Sequence, residues 1–163
     1  MSVDPRSLEI LKRNEAFLGL PDELLVKMAA LPSCRVRYYK AGQTIFRAGQ
    51  GAETVAVLAN GSTDITVPVD TDKGTHHDEI VDTVHKGSIL GWSSMVPPYI
   101  FTRNAIATSD CEVLTMDWKE LRQLMESEPR VGYELAMATL RILHMRYLHV
   151  QQLLVSGRRQ TTI

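Results

Sequence analysis

Apolar residues recur every three or four positions at both ends of this chain and every second position through its middle. The first helical stretch opens with Asp4 as a cap and Pro5 at the first helical position, and it sets Leu8, Leu11, Ala16 and Phe17 on roughly one side. A second short helix starts at Pro21 and carries Leu24, Leu25, Met28 and Leu31. From Arg35 to Asp117 short alternating runs are punctuated by Gly42, Gly51, Gly61, Gly74 and Gly87, the texture of a sandwich or barrel. Strands are expected near Arg35 to Tyr39, Thr44 to Phe46, Ile80 to Val84, Arg103 to Ala107 and Cys111 to Asp117. Val55 and Val57 before Asn60-Gly61, with Ile65 and Val67 after it, predict a hairpin closed by a type I′ turn.

After Asp117 the helical period returns. Trp118 to Glu126 reads as a short helix, and Pro129 fits the first turn of a long one running to about Val155. Along it Ala136, Leu140, Leu143, Tyr147, Val150 and Leu154 step by four and three, a heptad seam. A helix of that length spans about 40 Å, more than a β unit of this size covers, so its distal half is expected to pair with a second copy of the chain. The predicted architecture is mainly β with flanking helices: a jelly-roll-like β-roll over 34–117, two short N-terminal helices over 1–33 and C-terminal helices over 118–155. Residues 1–155 form one domain, followed by a polar tail, SGRRQTTI, over 156–163.

Composition narrows the function. A chain of 163 residues with 44% hydrophobic positions supports one real core, and a formal net charge of -1 draws it neither to nucleic acid nor to an anionic membrane. Gly157-Arg158-Arg159 is too short a basic spot to change that. No apolar run approaches the ~20 residues of a membrane span, and MSVDPRSLEI lacks the order of a signal peptide, so a cytoplasmic protein without membrane attachment is expected. Cys34 and Cys111 lie far apart without metal-ligand spacing and read as packing thiols. In THHDEIVDTVH, His77 and Glu79 share a strand face while His76 takes the other, so these residues with His85 do not present three metal ligands together. His144 and His149 stand about 140° apart on a helix and cannot chelate one ion. No Ser, Cys or Lys stands in a nucleophile motif, and no enzyme is expected.

Three stretches remain that composition does not explain: KAGQTIFRAGQGAETVAVLANGSTDITV, GSILGWSSMVPPYIFTRNAIA and CEVLTMDWKELRQLMESEP. With the helix pair and the long final helix, they resemble the cyclic nucleotide-binding domain of the Crp/Fnr (catabolite-activator) type, from about Phe17 to Leu154. The resemblance implies a phosphate cassette running from a Gly-Glu pair to an Arg followed by Ser or Thr and then Ala. In it the glutamate binds the ribose hydroxyl, and the arginine and the amides of a short helix bind the cyclic phosphate. This chain keeps Gly91, Arg103 and Ala105, but has Trp92 for the glutamate and Asn104 for the hydroxyl residue. Pro97-Pro98 withdraws two backbone donors, which Ser93 and Ser94 would restore through their hydroxyls.

In a strand Arg103 shares a face with Ala105 and Ala107; either it points out, or it points inward with them, where its charge needs an anion. That anion is a ligand or a protein carboxylate such as Glu53 or Asp64. The resemblance further implies that the long helix closes over the ligand near Arg146 and Tyr147, with His144 a turn earlier. The expected function is a non-enzymatic sensor that binds a small anion, cAMP, cGMP or another, at Arg103 and signals through a dimerising helix. The alternative is a ligand-free dimerisation module whose pocket Trp92 fills. Transcription factors of this type carry a helix-turn-helix domain after the long helix. The chain stops at Ile163, so it is expected to act without direct DNA contact, as a homodimer or through another regulatory protein.

Overall fold

The structure, a computed structural model, describes residues 3–70 and 76–160, with side chains described to residue 155. Helix α1, Pro5–Arg13, begins where the Asp4 carboxylate accepts the Arg6 and Ser7 N–H groups. It ends a turn earlier than the apolar spacing suggests, because Asn14 leaves the helix and caps a separate 3-10 turn, Glu15–Phe17. Ala16 and Phe17 are therefore not on the helix with Leu8 and Leu11, although Phe17 still enters the core. Helix α2, Asp22–Ala29, follows Pro21 and buries Leu24, Leu25 and Met28.

Eight strands follow among the described residues: β1 Arg35–Tyr39, β2 Thr44–Phe46, β3 Thr54–Asn60, β4 Ser62–Asp70, β5 His76–His85, β6 Ile89–Leu90, β7 Asn104–Ala107 and β8 Cys111–Asp117. They form two antiparallel four-stranded sheets, ordered β1-β8-β3-β6 and β2-β7-β4-β5. Ala56, Leu58, Leu90 and Val113 from the first sheet meet Ile65, Val84, Ala105 and Ala107 from the second, so the sheets face each other across one core. The first sheet is buried on both sides. Val55, Val57, Ile89, Leu114 and Met116 on its outer face pack against Leu11, Phe17, Leu25, Met28, Leu121 and Leu135 of the helices.

The hairpin expected at Asn60-Gly61 does not form. β3 pairs with β8 and β6, and β4 with β5 and β7, so Gly61 turns the chain from one sheet to the other. Its φ of 90° excludes most L residues, and a Cβ there would press on the Asp110 carbonyl and the Cys111 sulfur. The long hairpin is β4–β5 instead, paired from Ser62 with His85 to Asp70 with His76; Gly74 lies outside the described residues. β5 runs well beyond the Ile80 to Val84 stretch expected for it, and the two-residue β6 was not anticipated.

Helix α3, Trp118–Ser127, is capped by Asp117, and α4 runs from Pro129 to Gln160. α4 continues five residues past the expected end at 155, because no proline follows and Arg158, Arg159 and Gln160 are good helix formers. The rest of the expected tail, 161–163, lies outside the described residues. Val131, Leu135, Ala138 and Thr139 bury the first half of α4 on the domain. From Leu140 onward its large apolar side chains are mostly exposed, on a helix about 48 Å long. Among the described residues no helix is long and apolar enough to cross a membrane.

Candidate ligand-binding site

The segment between β6 and β7 is held in place from both ends. At its start Gly91 adopts φ 74°, and a Cβ would run into the Thr54 carbonyl of β3, so the tight approach requires glycine. Trp92–Met95 then forms one 3-10 turn, in which Ser94 N–H donates to Gly91 O at 3.0 Å and Val96 N–H to Ser93 O at 3.4 Å. The Pro97-Pro98 bond is cis. The return leg is pinned to residues 49–52: Ala52 N–H donates to Tyr99 O (2.8 Å), Phe101 N–H to Gln50 O (2.9 Å) and Gly49 N–H to Phe101 O (2.7 Å). The Phe101 ring stacks on Phe46 with centroids 4.1 Å apart.

A cavity of about 760 Å³ opens between this segment, the β-roll and α4. Gly91, Trp92, Ser93, Thr102 and Arg103 line it on one side, Phe46, Ile65, Val84 and Leu90 at its floor, and Arg141, Ile142, Leu143, Arg146, Tyr147, His149 and Val150 along α4. Six of the expected site residues thus come together: Gly91, Trp92, Ser93, Arg103, Arg146 and Tyr147.

Two do not. Ser94 is fully buried away from the lining, and its Oγ has no hydrogen-bond partner among the described residues. Asn104 is 8% exposed and structural: its amide donates to Thr66 Oγ1 and Asp78 Oδ1, both at 3.1 Å, while its oxygen accepts Ala48 N–H at 2.8 Å. With both N–H groups engaged, this asparagine has no side-chain donor left for an anion. The strand bounds also decide between the two expectations for Arg103. That residue lies just before β7, where the chain bends, so it does not continue the face of Ala105 and Ala107. Arg103 is exposed at the cavity rim and makes no hydrogen bond or ion pair among the described residues, with Glu53 and Asp64 included. Burial therefore does not demand an anion there, but a hydrated guanidinium stands ready for one.

On α4, Arg146 Nε lies 3.0 Å from Asp82 Oδ2 of β5, an ion pair that ties the helix to the second sheet across the cavity. The Tyr147 hydroxyl accepts a hydrogen bond from Gln151 at 2.9 Å and the ring is largely exposed; His144 is exposed and outside the lining. All six seam residues, Ala136, Leu140, Leu143, Tyr147, Val150 and Leu154, are exposed, and Leu143, Tyr147 and Val150 also wall the cavity.

Glu15, Asp82, Arg141 and His149 line the cavity without having been expected there. Arg141 and His149 are eight apart on α4 and so share a face, a spacing that was legible; Glu15 and Asp82 arrive only through folding. Three guanidinium groups face two carboxylates, and since Arg146 and Asp82 neutralise each other the remaining balance favours an anion.

Elsewhere the chemistry is quiet. Burial pushes the Cys34 thiol up to about 11, so it stays protonated at neutral pH. His77 Nε2 and Glu79 Oε1 meet at 2.8 Å, but among the described residues no three His, Cys, Asp or Glu side chains gather as metal ligands; the His76 side chain lies outside the described residues.

Comparison with known proteins gives a consistent picture. Residues 36–128 match the family described as cyclic nucleotide-binding domain. Human cGMP-dependent protein kinase 2 is 27% identical over 119 residues; these make up 72% of this chain but 14% of the kinase, so the chain spans a small part of that relative. The crystal structure of a putative cyclic nucleotide-binding protein from Geobacter metallireducens superposes with TM-score 0.66 at 27% identity, covering 85% of this chain and 98% of the other. The catabolite activator protein of Thermus thermophilus shares the fold, with TM-score 0.65 at 23% identity over 85% and 62% of the two chains.

Proposed function

The chain belongs to the cyclic nucleotide-binding domain family, and from that membership we propose that it is a non-enzymatic sensor in which a small anion bound at Arg103 acts on helix α4. The observation that carries this reading is the cavity itself. One wall is the rebuilt cassette, with an unpaired guanidinium at its rim, and the opposite wall is the long helix, so an occupant touches both. An occupant that fits one placement of α4 better than another shifts the helix by that difference in affinity. Candidate ligands are cAMP, cGMP or another small anion. The kinase relative is named for cGMP, which is a statement about that protein.

Downstream, the exposed apolar seam from Ala136 to Leu154 favours a second copy of the chain as partner, with another regulatory protein as the alternative. The net charge of -1 favours action without direct DNA contact. The reading is tested by thermal unfolding of wild type and Arg103→Gln with cAMP, cGMP and the amphipathic anion 1-anilinonaphthalene-8-sulfonate. At least one anion is expected to raise the Tm of wild type and leave the variant unchanged, since only binding to the folded state stabilises it. If none raises it, the alternative stands: a ligand-free dimerisation module with Trp92 occupying the pocket.

A further inference from the structure

Resting on that reading, we infer that the cavity takes an amphipathic organic anion, with an aromatic or aliphatic body and one anionic head, in preference to a cyclic nucleotide. The lining divides by polarity. Its floor is apolar, built from Phe46, Ile65, Val84 and Leu90, and the half-buried Trp92 indole adds a flat aromatic wall where the family's cassette carries a carboxylate. Charge is kept toward the margin: Arg103, Arg141, His149 and Glu15 are exposed, Asp82 and Arg146 are half-buried and paired, and the hydroxyls of Ser93 and Thr102 belong to the same wall as Arg103.

A ligand matching this division places its head at Arg103 in contact with water and its body inside. A ribose would be the reverse, since the position where the cassette carries its carboxylate is here Trp92, whose indole offers a ribose hydroxyl no acceptor. The lining carboxylate of Asp82 is already paired with Arg146 at 3.0 Å. A buried hydroxyl without a partner loses its hydration without compensation. Glu15 is the one lining carboxylate without a partner among the described residues, and it lies on the N-terminal 3-10 turn, not in the cassette. The indole and floor gain contact with a flat apolar body, and the guanidinium gains a charge-assisted hydrogen bond with a carboxylate or sulfonate.

Fluorescence titration tests this with 1-anilinonaphthalene-8-sulfonate and its neutral counterpart N-phenyl-1-naphthylamine, each with wild type, Arg103→Gln and Trp92→Ala. The sulfonate is expected to bind wild type at one site per chain and about 10- to 100-fold more weakly to Arg103→Gln, the loss of one charge-assisted hydrogen bond, while the neutral compound is insensitive to that change. Trp92→Ala is expected to weaken both compounds. Circular dichroism melts confirm that the variants fold, as the exposed position of Arg103 leads one to expect. Sulfonate binding independent of Arg103 overturns the inference, because that is adhesion to apolar surface. Displacement of the sulfonate by micromolar cAMP or cGMP also overturns it, while leaving the sensor reading intact. Absence of binding by every anion overturns both.

Discussion

Glu112 lies almost buried on β8, where it accepts two hydrogen bonds from Arg6 of α1, one of them at 2.7 Å from Nε, and a longer one from the Tyr38 hydroxyl. Hydrogen bonding from Arg6 holds its carboxyl below the usual range, against the opposing effect of burial. A carboxyl whose pKa is depressed by folding contributes stability above its unfolded value, near 4.5, and that stability is lost as pH falls through the lower folded value. The two partners are unequal: the Arg6 side chain is 43% exposed and Glu112 10%, so removing the arginine strands a charge that water cannot reach well. Arg6→Met is therefore expected to lower stability in urea at pH 7 more than Glu112→Gln does. The gap is expected to close near pH 3, where protonation removes the stranded charge. Equal losses at pH 7 would contradict this account. The same attention to a residue's whole surroundings explains the site. Trp92 and Arg103 were legible as cavity residues through the resemblance to the family's phosphate cassette. Asn104 was not, because its three partners come from residues 48, 66 and 78, which only folding brings together.

α4 is one continuous helix with two environments, anchored through Val131, Leu135 and Ala138 and then standing over the cavity with Arg146–Asp82 as its tie to the second sheet. Both side chains of that pair are about one-third exposed or less, so the pair is worth about 0 to 1 kcal/mol. Asp82→Asn is accordingly expected to leave global stability within about 1 kcal/mol and to speed amide exchange over residues 141–150 by up to about fivefold. Unchanged exchange would mean that the helix is held by packing alone. The elements themselves were largely readable, since period 3.6 and period 2 mark the helices and most strands. Strand pairing was not. Asn60-Gly61 has the composition of a hairpin turn, but turn chemistry sets only the local bend; partners are chosen by burial on two faces, which β3 satisfies between β8 and β6.

At the scale of the molecule, the exposed seam and the cavity overlap on α4 at Leu143, Tyr147 and Val150, while Leu140 and Leu154 serve the seam without lining the cavity. That separation allows association and ligand binding to be tested independently. Sedimentation is expected to show a reversible dimer, and Leu140→Glu with Leu154→Glu is expected to give a folded monomer whose Tm no longer depends on protein concentration, since both side chains are exposed at 56% and 61%. A wild type that stays monomeric at high concentration would remove the helix as a dimer element. The heptad seam was visible in the sequence, but its relation to the cavity was not, because that depends on the angle at which α4 leaves the domain. The central claim is that the cavity is an anion site centred on Arg103. Calorimetric titration of wild type and Arg103→Gln with cAMP, cGMP and 1-anilinonaphthalene-8-sulfonate tests it most directly. The account predicts saturable binding of at least one anion to wild type, weakened about tenfold or more in the variant. No heat from any anion at millimolar concentration, or equal affinity for both proteins, would contradict it.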